Sequence, residues 1–257
     1  MGRGGSDTTA VAIAASIQSK RCDIYTDVDG IYTTDPRIVP DAKKLDSISM
    51  EEMLELAGQG AKVMQIRAVE FANKYKVLVR VLSSFEPGSG TLILQEEDGM
   101  EDAVITGIAS QTDQTKFTLH GVVDTPGIAS GILSPVSEAG IEVDVIVQNV
   151  SVSGKTDFTF TVGTSDRPEV ESVLKEKMQG ISFDELIIDE GIGKVSLVGV
   201  GMRSHAGIAS TAFNALADAG INIQMISTSE IKITIVISKE QLEDAVKTLH
   251  EAFNLGD

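Results

Sequence analysis

The strongest constraint on this chain is a repeat in its second half. Asp124-Thr-Pro-Gly-Ile-Ala-Ser130 aligns with Ser204-His-Ala-Gly-Ile-Ala-Ser210, identical at Gly-Ile-Ala-Ser and 80 residues apart. Ala139-Gly-Ile141 returns as Ala219-Gly-Ile221 at the same spacing. Upstream, Lys116–Gly121 (KFTLHG) pairs with Lys194–Gly199 (KVSLVG) at 78, so the second copy carries a two-residue insertion. Self-similarity at a fixed spacing means two copies of one supersecondary unit. Each copy reads strand, glycine turn, helix, strand, strand, helix. The first copy gains a final strand at 185–191 (ELIIDEG), whereas the second ends after the helix QLEDAVKTLHEAFNL (241–255). A spare strand, AVITGIASQ (103–111), precedes the first copy. An unpaired sheet edge is a liability, so this strand is expected to complete the second copy's sheet, which interlocks the two modules.

The 257 residues allow about two domains, or three small ones. The charged stretch QEEDGMED (95–102) reads as the linker between the first hundred residues and the repeat. The expected divisions are 1–98, 115–192 and 193–257, the last completed by strand 103–111. With 21 Lys and Arg against 38 Asp and Glu, the formal charge is −17. Such a balance speaks against a nucleic-acid partner and against adsorption to an anionic membrane. The acid is uneven: residues 1–100 hold 11 basic and 15 acidic side chains, the remainder 10 and 23. Anion handling is therefore expected in the first hundred residues. The lone Cys22 rules out an intramolecular disulfide and a cysteine-cluster metal site, and its apolar flanks predict a buried thiol. His120, His205 and His250 are too scattered for a metal centre. No run approaches a membrane span and no signal peptide is visible, so a cytoplasmic protein is expected.

In the first hundred residues, GRGGSD is a glycine-rich loop leading into a helix N-terminus, where backbone N–H groups and the helix dipole favour an anion. Ser6 or Asp7 is expected to cap the helix that follows, AVAIAASI (10–17). CDIYTDV (22–28) has strand character, broken by Asp29-Gly30. IYTTDPRIVPDAKKL (31–45) is expected to be an ordered loop. Residues 49–74 read as two helices broken at Gly58 and Gly60, and VLVRVLSS (77–84) as a buried strand. TDVDGIYTTDPR (26–37) gathers Asp27, Asp29, Asp35, Tyr32 and Arg37 just after a strand, where α/β sheets place ligands. It could equally be an Asx-rich turn. It is not an EF-hand, since the later ligands are missing.

A βαββαβ module with a glycine after its first strand resembles the ACT domain, a small-molecule sensor that works in pairs. A ferredoxin-like pair with purely structural roles is the plain alternative. Taken with the repeat, GRGGSDTTA, SKRCDIYTDVDGIYTTDPRIV and SMEEMLELAGQGAKV are similar to aspartate kinase, of the amino acid kinase family with tandem ACT domains. The resemblance runs along the whole chain. It implies a partial amino acid kinase (carbamate kinase-like) α/β/α domain followed by two interlocked ferredoxin-like ACT domains. The family's opening Lys-Phe-Gly-Gly-type segment is not found here.

The resemblance also implies the chemistry: transfer of the ATP γ-phosphoryl to the β-carboxylate of aspartate, a reaction governed by positioning and charge neutralisation. Arg3 matches the arginine gripping the substrate α-carboxylate, Ser6 a substrate-contacting hydroxyl, and Asp7 the aspartate that orients the nucleotide end of the site. Thr26, Asp27, Tyr32 and Arg37 match the nucleotide strand end and loop, and Lys62 with Val63 the ATP-facing segment after the helix. Mg2+ is expected to arrive on the nucleotide, with no metal held by the protein itself. In the sensor half, lysine, threonine or both are the implied effectors. Asp124, Pro126, Gly127, Ile128 and Ala129 form the first copy's turn; Gln148, Asn149 and Ser151 end one strand; Thr156 and Asp157 open the next. The amides suit a ligand carboxylate and Asp157 an ammonium. In the second copy Met202, Ser204 and His205 hold the turn, and Ser227–Glu230 replaces the Gln-Asn-Val-Ser strand end. The stronger effector site is therefore expected in the first copy. Two readings stay open: the catalytic enzyme, whose isolated chain is expected to be inactive, and a non-catalytic β-type subunit that pairs with a full-length catalytic chain. The implied assemblies are a homodimer through the ACT domains or a heterotetramer.

Overall fold

The computed structural model describes residues 5–61, 63–95, 104–150, 154–178 and 180–256. They form two compact units: residues 1–111 with 195–237 and 241–257, and residues 112–194 with 238–240.

The first unit opens on helix α1 (Gly5–Ser16), which already contains Ser6 and Asp7 in its first turn; neither is therefore its N-cap. Strand β1 (Cys22–Thr26) follows, with Cys22 and Ile24 turned inward. The short β2 (Ser47–Ser49) leads into α2 (Met50–Gly58), which Ser49 caps. This is a capping box: the Ser49 hydroxyl accepts from the Glu52 amide, and the Glu52 carboxylate accepts from the Ser49 amide. Helix α3 (Ile66–Tyr75), β3 (Val79–Ser83) and β4 (Thr91–Leu94) complete the lobe. The sheet order is β1-β3-β4-β2, with β1 parallel to β3 and β2 parallel to β4. β2 and β4 hold three and four residues, too few for periodicity to reveal them. Val11, Met53, Ala68, Val69, Val79 and Ile93 are fully buried between helices and sheet.

The same unit contains the second repeat copy. Strand β5 (Gly107–Gln111) lies beside β10 (Ile192–Val198) in the sheet β11-β12-β10-β5, where β11 is Met225–Thr228 and β12 is Lys232–Ser238. Helices α6 (Ile208–Asp218) and α7 (Leu242–Ala252) cover it. The kinase-like lobe and this module share their interiors. Ala109 and Val198 belong to the lobe's core, and Val39, from the 31–45 loop, belongs to the module's core beside Leu249 and Ile237.

The second unit is the first repeat copy: β6 (Gln114–Val123), α4 (Ile128–Glu138), β7 (Val143–Val150), β8 (Lys155–Gly163), α5 (Arg167–Lys177) and β9 (Glu185–Asp189). Its antiparallel sheet runs β7-β8-β6-β9 over a core in which Phe117 stacks on Phe160 at 5.4 Å.

A buried histidine ties the 31–45 loop to α7. His250 Nε2 lies 3.0 Å from the Thr33 hydroxyl, and that hydroxyl also accepts from the Lys43 amide at 3.0 Å. With one lone pair taken by the Lys43 amide, the hydroxyl still has a proton to donate and a second lone pair to accept with, so it can serve either tautomer of the ring. Burial pushes the His250 pKa below its ordinary 6.5, with Asp41 pulling weakly the other way. Below about pH 6.5 the unfolded chain binds a proton that the folded chain resists, so stability falls as pH drops through that range. Thermal melting should therefore move to lower temperature between about pH 7.5 and 5.5, and His250→Gln should flatten that slope. An equal slope in the variant would refute the assignment.

Candidate functional site

Two groups of expected residues are held by the fold. The first lies at the C-terminal end of the parallel pair β1–β3, the side of an α/β sheet where ligands collect. Thr26 pairs in register with Ser83, and its hydroxyl donates to Asp27 at 3.0 Å. The following loop is braced by its own ion pairs. Tyr32 Oη donates to Asp29 at 2.9 Å, and Lys44 reaches the same carboxylate at 3.0 Å. Burial alone would raise the Asp29 pKa, but the bonds from Lys44 and Tyr32 carry it below the usual range; burial and Asp29 together raise the Tyr32 phenol. Arg37 grips Asp35 through Nε and Nη2, at 3.0 and 2.6 Å, and this fork lowers the Asp35 pKa. The Arg37 side chain is otherwise 88% exposed, so one face of its guanidinium is open to an anion. Ser6 and Asp7 sit together on α1, the hydroxyl 3.3 Å from Asp7 Oδ1. Val63 packs against the lobe's core. Arg3 and Lys62 lie outside the described residues. Cys22 is buried, and burial followed by Asp23 and Asp7 pushes its thiol pKa up, away from a nucleophile's range.

The second group surrounds a cavity of about 370 Å³ in the first repeat copy, lined by Asp124, Thr125, Pro126, Gly127, Ile128, Ala129 and Gln148. Gly127 is the N-cap of α4 with φ +93°, and no side chain caps the helix. The Ile128 amide is taken by the Thr125 carbonyl at 3.1 Å. The next amides of the first turn have no intrahelical acceptor, as at any helix start, and they open next to the cavity. An acidic side chain, an amide side chain and helix N–H groups thus converge on a space sized for a small zwitterion. Asn149, Thr156 and Asp157 have other neighbours. Asn149 follows Gln148 on β7, and successive strand residues face opposite sides. The buried Thr156 hydroxyl donates to the Asn149 carbonyl across the β7–β8 pair. Asp157 accepts from the Gly121 amide at 2.9 Å and pairs with His120 at 2.7 Å. Ser151 lies outside the described residues. In the second copy, His205 Nδ1 lies 2.8 Å from the Gly201 carbonyl, so the turn closes on itself.

Known proteins match this arrangement. Residues 1–83 match the amino acid kinase family, and residues 118–177 and 195–253 each match the ACT domain. The aspartokinase of Pseudomonas aeruginosa is 58% identical over 257 residues, covering 99% of this chain and 62% of that protein. The structure of Escherichia coli aspartokinase III in complex with aspartate and ADP superposes with a TM-score of 0.83 at 31% identity, over 98% of this chain and 56% of that one. The regulatory subunit of aspartate kinase from Thermus thermophilus is 37% identical with a TM-score of 0.56, and the match covers 58% of this chain and 99% of that subunit. The chain belongs to the aspartate kinase family.

It spans about 62% of the length of the curated aspartokinases it matches. The mixed α/β architecture is that of the family: an amino acid kinase segment followed by two ACT domains. Among the described residues no group of three or more His, Cys, Asp or Glu side chains could hold a metal ion, and no helix is long and apolar enough to cross a membrane.

Sequence reasoning missed two residues that this aspartate kinase family member uses structurally. Glu52 is 4% exposed, and its carboxylate accepts from Ser49, from Thr106 Oγ1 at 2.5 Å and from the Val200 amide at 3.1 Å. The Ser-x-x-Glu capping-box pattern at 49–52 was the available signal for its first role. His250 was legible as a polar residue on the apolar Leu242–Val246–Leu249 face of α7.

The cavity turn depends on the left-handed backbone of Gly127. A Cβ there meets nothing within 4 Å, so the penalty of an alanine is conformational alone. Gly127→Ala should destabilise the first module by about 1–2 kcal/mol, read as a lower urea midpoint. An unchanged midpoint would mean that the turn tolerates another conformation.

Proposed function

We propose that the chain serves aspartate phosphorylation: transfer of the γ-phosphoryl of ATP to the aspartate β-carboxylate, giving 4-phosphoaspartate and ADP, the opening step toward lysine, threonine and methionine. The observation that carries this reading is the 58% identity to an aspartokinase across 99% of the chain. Such a transfer asks the protein for placement and charge neutralisation. Arg3 is assigned to the substrate α-carboxylate, which a guanidinium can hold bidentately, and Ser6 to a second substrate contact. Asp7 orients the nucleotide end. Thr26, Asp27, Tyr32 and Arg37, with Lys62 and Val63, are assigned to ATP. The braced loop and the open face of Arg37 support this assignment. Mg2+ travels with the nucleotide phosphates, which supply most of its coordination.

Lysine, threonine or both are the proposed feedback effectors, bound at the first ACT module. Supporting this, the lining of the cavity pairs Asp124 for an ammonium with Gln148 and the α4 amides for a carboxylate. E. coli aspartokinase III, to which the chain is 30% identical in that state, has been solved with lysine and aspartate. Asn149, Ser151, Thr156 and Asp157 are proposed to shape the rim of this site. The module divisions we adopt are 1–98, 115–192 and 193–257, with 103–111 assigned to the last. The site of action is proposed to be the cytoplasm, and the assembly a dimer through the ACT modules.

The Thermus thermophilus subunit favours a second reading, a β-type regulatory subunit that binds effector and joins a full-length catalytic chain in a heterotetramer. The two readings part on activity in the presence of such a catalytic chain; both expect effector binding. The purified chain by itself should show no ATP- and aspartate-dependent turnover, and robust turnover would overturn that expectation. Calorimetry should detect lysine or threonine at millimolar concentration, and Gln148→Ala should weaken that binding about tenfold, the worth of one hydrogen bond to a charged group. Binding of neither amino acid would remove the sensor assignment. Light scattering should report a dimer.

A further inference from the structure

The two segments assigned to the nucleotide, the 31–45 loop and the stretch after α2, are separate in sequence, yet both fasten to one strand. That strand is β5, with the two residues before it. Thr106 Oγ1 donates to Glu52 Oε1 on α2 at 2.5 Å, while the Thr106 amide bonds to the Val198 carbonyl of β10 at 2.8 Å. Two residues on, the Ile108 amide donates to the Thr33 carbonyl of the loop at 2.7 Å. Between them Gly107 lies flush: a Cβ there would meet the Thr33 oxygen at 3.2 Å and Leu56 Cδ1 at 3.3 Å. Further along, Gln111 Nε2 donates to the Gly58 carbonyl at 3.3 Å. Gly60, at φ +106°, lies so close that a Cβ would stand 2.6 Å from the Ser110 carbonyl.

The second ACT module reinforces α2 along the same face. Arg203 pairs with Glu51 at 2.7 Å, Lys232 with Glu55 at 2.7 Å, and Ser196 Oγ donates to Gln59 at 2.9 Å. Glutamates 51, 52 and 55 and the C-cap residue Gln59 thus present acceptors to one module along the nine-residue helix and its end. The helix runs directly into Gly60 and Ala61, the residues before Lys62.

We propose that Thr106 and Glu52 are positioning residues for nucleotide binding, with β5 acting as a strut of the second ACT module that sets the 31–45 loop and the segment after α2 at a fixed separation. Any rearrangement of that module's sheet then reaches both nucleotide segments at once. This rests on the nucleotide assignment given above, and the test separates the two.

The probe is ATP with Mg2+, titrated into the full chain by calorimetry. Thr106→Val removes the hydroxyl at constant shape; Thr106→Ser restores it; Glu52→Gln takes the charge from the same bond and turns an NH2 donor toward one pair of the donors that Glu52 now satisfies. Thr106→Val and Glu52→Gln should each weaken ATP binding about tenfold, the factor for one charge-assisted hydrogen bond. Thr106→Ser should remain within about twofold of the unsubstituted chain. Amide exchange at residues 31–33 and 58–61 should quicken in Thr106→Val, with residues 124–129 unchanged. A Thr106→Val chain that binds ATP as well as its parent overturns the inference and leaves the nucleotide assignment standing. A Thr106→Ser chain as weak as Thr106→Val also overturns it, because bulk and not the hydroxyl would then matter. Failure of the unsubstituted chain to bind ATP overturns the nucleotide assignment and the inference with it.

Discussion

The first unit depends on one buried carboxylate. Glu52 collects donors from three separate parts of the chain: Ser49 just before it, Thr106 more than fifty residues later, and the backbone of Val200. Both oxygens act only as acceptors, and each has two donors. Inside a protein such a group is tolerated because every lone-pair direction is met, and removing one donor exposes the desolvation cost of the rest, about 1–3 kcal/mol. Hydrophobic contact alone would let α2 slide over the sheet below it. Hydrogen bonds of fixed direction give it one register, and with it the place where the chain leaves α2 for Gly60.

The repeat was legible because it is written twice: two glycine turns followed by Ile-Ala-Ser, with helices of the same length around them. The cavity turn was legible for the same reason, since Gly127 and Gly207 share the left-handed conformation, at φ +93° and +95°. What one sequence could not reveal were joins made across long separations. A glutamate at the third position of a helix is sufficiently explained by its serine cap, so nothing in the local pattern announces Thr106 or Val200 as further partners. His250 stands out on an apolar helix face, but its partner Thr33, 217 residues away, does not. The 31–45 segment was expected to be an ordered loop, but its sequence does not say where it packs: Val39 contributes to the core of a module that begins much later in the chain. Ser6 and Asp7 were expected at the helix boundary because they are good caps, but α1 includes both.

Charge follows the same division of labour. The loop after β1 pairs Asp29 with Tyr32 and Lys44, and Asp35 with Arg37, so these carboxylates are neutralised within the loop itself. These exposed pairs add little to stability; their effect is on the local field and on loop shape. The remaining residues keep a large acidic excess. Within that excess the cavity of the first repeat copy is lined by one acidic side chain, Asp124, and one amide side chain, Gln148.

The position of β5 has a consequence for synthesis. It is made before the first ACT module but belongs in a sheet with β10, made after it. The first module is thus an insertion between two neighbouring strands of another domain, leaving after Gln111 and returning at Val195. On the ribosome, the host sheet must wait with an open edge until the guest has been translated, and a guest that folds promptly brings the two waiting strands together. Two strands bonded side by side in the finished sheet, β5 and β10, are thus separated during synthesis by the whole of the guest module.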